Sequence, residues 1–145
     1  MPEKTKVLFL CTGNSARSQL GEALLRHRAG DRFEVHSAGL EPKGVNPYTL
    51  RVLAELGLDA SGQTSKPLSQ YLGRVHFGYV IIVCADADEK CPAVFPGMGQ
   101  RLRWPFEDPA AAEGPDEVRL AKFRAIRDQI DQRLQGWLAE LDRAA

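Results

Sequence analysis

The segment CTGNSARS, residues 11–18, sets a cysteine six positions ahead of an arginine, with glycine, asparagine and serine between them. A cysteine in its thiolate form is a nucleophile, and a guanidinium fork matches two oxygens of a tetrahedral oxyanion. Gly13 permits a positive φ and Asn14 tolerates one better than most residues, so the backbone here can curl into a nest of amides facing an anion. These residue types predict Cys11 as a nucleophile acting on an oxyanion. Thr12, Gly13, Asn14, Ser15, Ala16, Arg17 and Ser18 would hold that anion, with the Ser18 hydroxyl donating to the sulfur. The positive surroundings would favour the thiolate near neutral pH. The spacing C-x5-R alone is a weak pattern, and a lone cysteine is more often a small buried hydrophobe. The Walker pattern G-x4-G-K-[ST] is absent, so nucleotide hydrolysis loses support.

Such a loop needs a rigid strand before it and a helix N-terminus after it. KVLFL reads as a strand buried on both faces, and RSQLGEALLRHRAG as a helix with Leu20, Ala23 and Leu24 on its apolar face, stopping at Gly30. A second strand is expected in RFEVHSAG. Asn46-Pro47 predicts a helix start, since asparagine caps and proline lacks only an amide with no partner, and that helix should end at Gly57. YVIIVC is a third strand and QRLRW a short edge strand. The last helix, in DEVRLAKFRAIRDQIDQRLQGWLAEL, would bury Val118, Ile126, Ile130, Leu134, Trp137 and Leu141. Alternating strands and helices imply a parallel α/β sheet covered on both faces, which binds ligands beyond the carboxyl ends of its strands. Cys11 lies at such an end.

At 145 residues, without repeat or linker, the chain predicts one domain over residues 1–145. Nineteen basic residues balance nineteen acidic ones, so net charge gives no reason to expect nucleic acid or a membrane surface as partner. MPEKTKVLFL lacks the features of a signal peptide, and a soluble cytoplasmic monomer is expected. Three cysteines, Cys11, Cys84 and Cys91, do not make a structural disulfide framework, and reactive thiols become the alternative. His27, His36 and His76 show no metal spacing, and no metal is expected. Asp86, Asp88 and Glu89 lack the glycine of a calcium loop and read as a solvated turn.

CTGNSARSQLGEALLR, SAGLEPKGVNP, VCADADEKCP and WPFEDPA together resemble the thioredoxin-coupled arsenate reductases, which share the low-molecular-weight protein tyrosine phosphatase fold. The resemblance implies a four-stranded parallel sheet in order 2-1-3-4, reduction of arsenate to arsenite, no bound cofactor, and thioredoxin as electron donor. It makes Asp108, ahead of Pro109, the general acid, although Asp-Pro is also an ordinary turn. With the first and third strands adjacent, Cys84 would attack the Cys11 sulfur once it carries arsenic, releasing As(III) and leaving a Cys11–Cys84 disulfide. Cys91 would then attack Cys84 and free Cys11. Were the intervening ADADEK helical, Cys84 and Cys91 would stand about 10 Å apart, beyond the roughly 7 Å reach of a disulfide, so residues 84–96 would have to unwind. Trp104 and Phe106 would pack beside the acid-bearing loop.

Two departures stand out. The loop often has cysteine where this chain has Ala16, a position with no part in the relay. Some relatives bind potassium through groups matching Asn14, Glu22 and Ser37 plus an aspartate, where this chain has Lys66; its ammonium would take the cation's place, or it would simply be exposed. A tyrosine phosphatase is the second reading, although DPAAAEG lacks the tyrosines usual after the acid. An oxyanion-binding or redox-sensing module without catalysis is the third.

Overall fold

In the computed structural model, which describes residues 4–84 and 98–144, the apolar runs line up as one parallel sheet. Its strands are β1 (Thr5–Cys11), β2 (Phe33–Gly39), β3 (Phe77–Cys84) and β4 (Met98–Phe106), in the order β2-β1-β3-β4. Val7 through Leu10 and Val80 through Val83 are buried, as central strands covered on both faces must be. Helix α1 (Arg17–Ala29) follows β1, α2 (Pro47–Ala54) follows β2, and the long α3 (Asp116–Ala144) closes the chain. Trp137 of α3 stacks on Phe33 at 5.5 Å between ring centroids and meets Tyr79 and Trp104 edge-on at 5.1 and 5.7 Å. His36, on the other face of β2, packs against Tyr71, just beyond the 3₁₀ turn Leu68–Gln70. No helix among the described residues is long and apolar enough to cross a membrane.

Three expectations from the sequence need correction. Asn46 caps α2 by accepting from the Tyr48 amide, as expected, but the helix ends at Ala54. The amides of Leu56 and Gly57 reach back only three residues, to Leu53 and Ala54, and Gly57 at φ +78° completes the reversal. The edge strand is nine residues long, because pairing with β3 begins at Met98 opposite Phe77 and runs to Phe106 opposite Cys84. Val118 is 50 % exposed. At 100° per residue, it lies about 120° around the helix from Ile130, which is central to the stripe of Phe123, Ile126, Leu134 and Trp137. Leu120 is the first buried residue of the helix.

The register positions the site. Cys11 pairs with Gly39 of β2, while Leu10 pairs with Ile82 of β3, so Cys11 and Cys84 end neighbouring strands on the same edge of the sheet. Gly21 lets α1 lie close on β1, since a Cβ there would fall 2.6 Å from the Phe9 ring.

Candidate active site

Every carbonyl from Cys11 to Ser15 is engaged by the surrounding scaffold. The amides of Leu40, Glu41, Lys43 and Asn46 donate to the oxygens of Cys11, Thr12, Gly13 and Ser15 at 3.2, 2.8, 2.9 and 3.0 Å. Ser65 Oγ adds a second donor to Gly13 O at 3.2 Å, and Thr49 Oγ1 one to Ser15 O at 3.0 Å. The Asn14 oxygen accepts from Gln19 Nε2 at 3.1 Å. In a planar trans peptide the N–H points opposite the C=O, so carbonyls drawn outward turn the amides of residues 12–16 toward the inside of the loop. Asn14 supplies the reversal at φ 46°. Ala16, the N-cap of α1, has no side chain to accept from the first-turn amides, which leaves them to an anion.

Cys11 is buried, with its sulfur 3.0 Å from Ser18 Oγ. Asn14 Nδ2 donates to that same hydroxyl at 2.8 Å, so the hydroxyl hydrogen is free to point at the sulfur. The Lys66 amide in turn donates to Asn14 Oδ1 at 2.8 Å, which fixes the orientation of the carboxamide. Arg17 is buried at the end of the loop, its Nη1 donating to the Phe106 oxygen at 3.1 Å. Its Nη2 stands 3.7 Å from Asp108 Oδ2. Asp108, 45 % exposed in its side chain, opens the 3₁₀ turn Pro109–Ala111 and accepts from the Ala110 amide at 2.9 Å. A cationic fork, a ring of amides, a thiol and a carboxylate thus meet at one edge of the sheet. That set can bind a tetrahedral oxyanion, attack it and protonate what leaves.

Behind the loop, Glu22 is buried and its oxygens are taken by the Ser37 hydroxyl and by Arg26 Nη2 at 2.6 Å. Lys66 Nζ faces Glu22 at 3.8 Å, with 16 % of its side chain exposed. Burial lowers the Lys66 pKa; Glu22 pulls it back up, and Arg26 adds to the lowering. An ammonium already faces the carboxylate, so these residues do not suit a bound monovalent cation, and the reading of Lys66 as merely exposed is corrected.

Residues 6–145 match the low molecular weight phosphotyrosine protein phosphatase family. The arsenate reductase of Halalkalibacterium halodurans is 43 % identical over 132 residues, which cover 91 % of this chain and 94 % of that one. The chain belongs to this family, in its arsenate reductase branch. A solved arsenate reductase in its phosphate binding state superposes with a TM-score of 0.74 at 31 % identity, covering 94 % of this chain and 98 % of that one. The thioredoxin-dependent arsenate reductase of Corynebacterium glutamicum superposes with a TM-score of 0.71 at 31 % identity, covering 98 % of this chain and 64 % of that one. Fold, strand order and family are therefore those the resemblance implied.

The structure brings together Cys11, the loop residues 12–18 and Asp108, and it puts Cys84 at the end of the adjacent strand. Cys91, the acidic residues of ADADEK and the segment expected to unwind lie outside the described residues. Sequence reasoning missed Gln19, Gly39, Thr49, Gln63 and Ser65, which hold the loop from behind. Periodicity gave no signal for Gln19, because its helical neighbours at three, four and seven positions on are Glu22, Ala23 and Arg26, and that face reads as polar. His36 makes the local contacts expected of it, with Glu34 Oε2 at 2.8 Å from its Nε2 and the Tyr71 hydroxyl at 3.3 Å from its Nδ1.

Proposed function

We propose that this chain reduces arsenate to arsenite, with thioredoxin as electron donor, acting as a cytoplasmic monomer. Cys11 attacks the arsenic of arsenate held by the loop amides and Arg17; Asp108 protonates the departing oxygen, and a Cys11–arsenic bond forms. Cys84 attacks the Cys11 sulfur. The sulfur–arsenic bond breaks with its electron pair passing to arsenic, so As(V) leaves as As(III) and a Cys11–Cys84 disulfide remains. Cys91 attacks the Cys84 sulfur, Cys11 departs as thiolate, and the new Cys84–Cys91 disulfide takes two electrons from a thioredoxin dithiol. The enzyme needs no bound cofactor for this sequence.

The observation that carries the reading is a thiol under an inward-facing ring of amides, on a strand whose neighbour also ends in cysteine. Phosphate offers no reducible centre, so a phosphatase has no use for the further thiols. Family membership supports cleavage of phosphate monoesters as a second activity of the same loop. Arsenate-dependent NADPH oxidation with thioredoxin and thioredoxin reductase should disappear in Cys84→Ser and Cys91→Ser, while both variants still cleave an aryl phosphate. Non-reducing mass mapping after one turnover should find Cys84 joined to Cys91. Arsenite release unaffected by either substitution refutes the relay.

A further inference from the structure

Gln19 is fully buried and touches none of the reacting groups, yet its carboxamide is completely engaged. Nε2 donates to Asn14 O at 3.1 Å and to Thr64 O at 2.9 Å; Oε1 accepts from Gln63 Nε2 at 2.7 Å, and Gln63 Nε2 also reaches Gln19 O at 3.2 Å. The carbonyls of Cys11, Thr12, Gly13 and Ser15 all accept from backbone amides of residues 40–46, whereas among the described residues the partner of the Asn14 carbonyl is this one side chain. The peptide joining Asn14 to Ser15 is also where the backbone leaves its left-handed residue. If that plane rotates, the Ser15 N–H turns away from the anion and the Asn14 oxygen turns toward it, replacing attraction by repulsion.

We infer that Gln19 is a positioning residue that holds the Asn14–Ser15 peptide in its anion-binding orientation. The inference rests on the reading of residues 11–18 as an oxyanion site, but not on arsenate being reduced there. Without the Gln19 donor the loop divides its time between the two orientations, and the observed anion affinity falls by the fraction that stays competent. A hydrogen bond of ordinary strength shifts the ratio of the two orientations by up to about tenfold, which bounds the loss of affinity. Saturating anion draws the peptide back, so the loss appears in binding and in KM, and kcat is largely kept. A residue that merely packs the core would lower thermal stability without this split.

The experiment is protection of Cys11 from iodoacetamide by inorganic phosphate, together with steady-state kinetics on arsenate and on an aryl phosphate. For Gln19→Met, of similar length but without donors, the phosphate dissociation constant and KM should rise by about three- to tenfold and kcat change less than about threefold. Gln19→Glu is isosteric and can donate to the Asn14 oxygen only while protonated, so its phosphate affinity relative to wild type at the same pH should fall as pH rises. Unchanged phosphate affinity in Gln19→Met, a loss confined to kcat, or a Glu variant that matches wild type at every pH overturns the inference. Should Gln19→Met not fold, Gln63→Met decides, because it frees the carboxamide to turn: a two- to threefold weakening supports the proposal and no change refutes it. Failure of wild type to be protected by phosphate would instead overturn the oxyanion site itself.

Discussion

Gly39 ends β2 directly opposite Cys11, and a methyl group there has nowhere to go. A Cβ would lie 2.7 Å from the Asn14 nitrogen, 2.8 Å from the Thr12 oxygen and 2.9 Å from the Asn14 Cβ. Ordinary contact begins near 3.4 Å, so loop and strand must separate by about 0.7 Å. They are not free to do so: the Gly39 amide is bonded to Lys66 O at 2.8 Å, and the next two amides carry the Cys11 and Thr12 carbonyls. The strain therefore falls on the amide ring. A misplacement of about 1 Å at a reacting group costs about 10²-fold, so Gly39→Ala should lower kcat/KM by roughly 30- to 100-fold. Overpacking should also cost about 1–3 kcal/mol of stability. Gly62→Ala is the control, since a Cβ there meets nothing within 4 Å, and its activity should stay at the wild-type level. The assay is arsenate-dependent NADPH oxidation, with thermal melting to show that the variants are folded at the working temperature. A folded Gly39→Ala enzyme within threefold of wild type would refute the claim that close approach of β2 shapes the loop.

Other perturbations test separate parts of the molecule. Asp108→Asn should reduce aryl phosphate turnover by about 10²–10⁴-fold with phosphate protection of Cys11 retained, and equal turnover would remove Asp108 as the acid. Because the Lys66 ammonium faces Glu22, reduction rates in potassium and sodium at equal ionic strength should agree, and a clear preference for potassium would contradict that placement. Arg28 binds Asp131 through two hydrogen bonds and ties α1 to α3. This bond, opposed by burial, holds the Asp131 carboxyl below its ordinary 3.8, so its stabilisation is complete above that value and lost as pH falls through the lower folded one. Asp131→Asn should therefore cost about 1 kcal/mol at pH 7, and its melting curve should converge on wild type in acid. A gap that widens below pH 4 would reverse the assigned sign.

Much of this protein was legible in the order of its residues because the decisive signals are local. A continuous apolar strand, a Gly-Asn turn and a helix start follow one another within about twenty residues, and together they predict an amide nest with a thiol beneath it. Asn46-Pro47 marked its helix for the same reason. Periodicity misled where a side chain's direction depends on its phase over several turns, as at Val118, and where a helix tightens before its closing glycine, as at α2.

What only the tertiary structure decided is how that nest is kept open. Its carbonyls are held by amides of residues 40–46 and by Thr49 and Ser65, its left-handed residue by Gln19 and the Lys66 amide, and its floor by the missing side chain of Gly39. None of these partners lies within the motif they serve, and most are more than twenty residues away along the chain. A sequence states which groups a loop contains. Which way its peptide planes face is settled by donors brought up from elsewhere, because a planar amide presents either its hydrogen or its oxygen, and the partner behind it selects which.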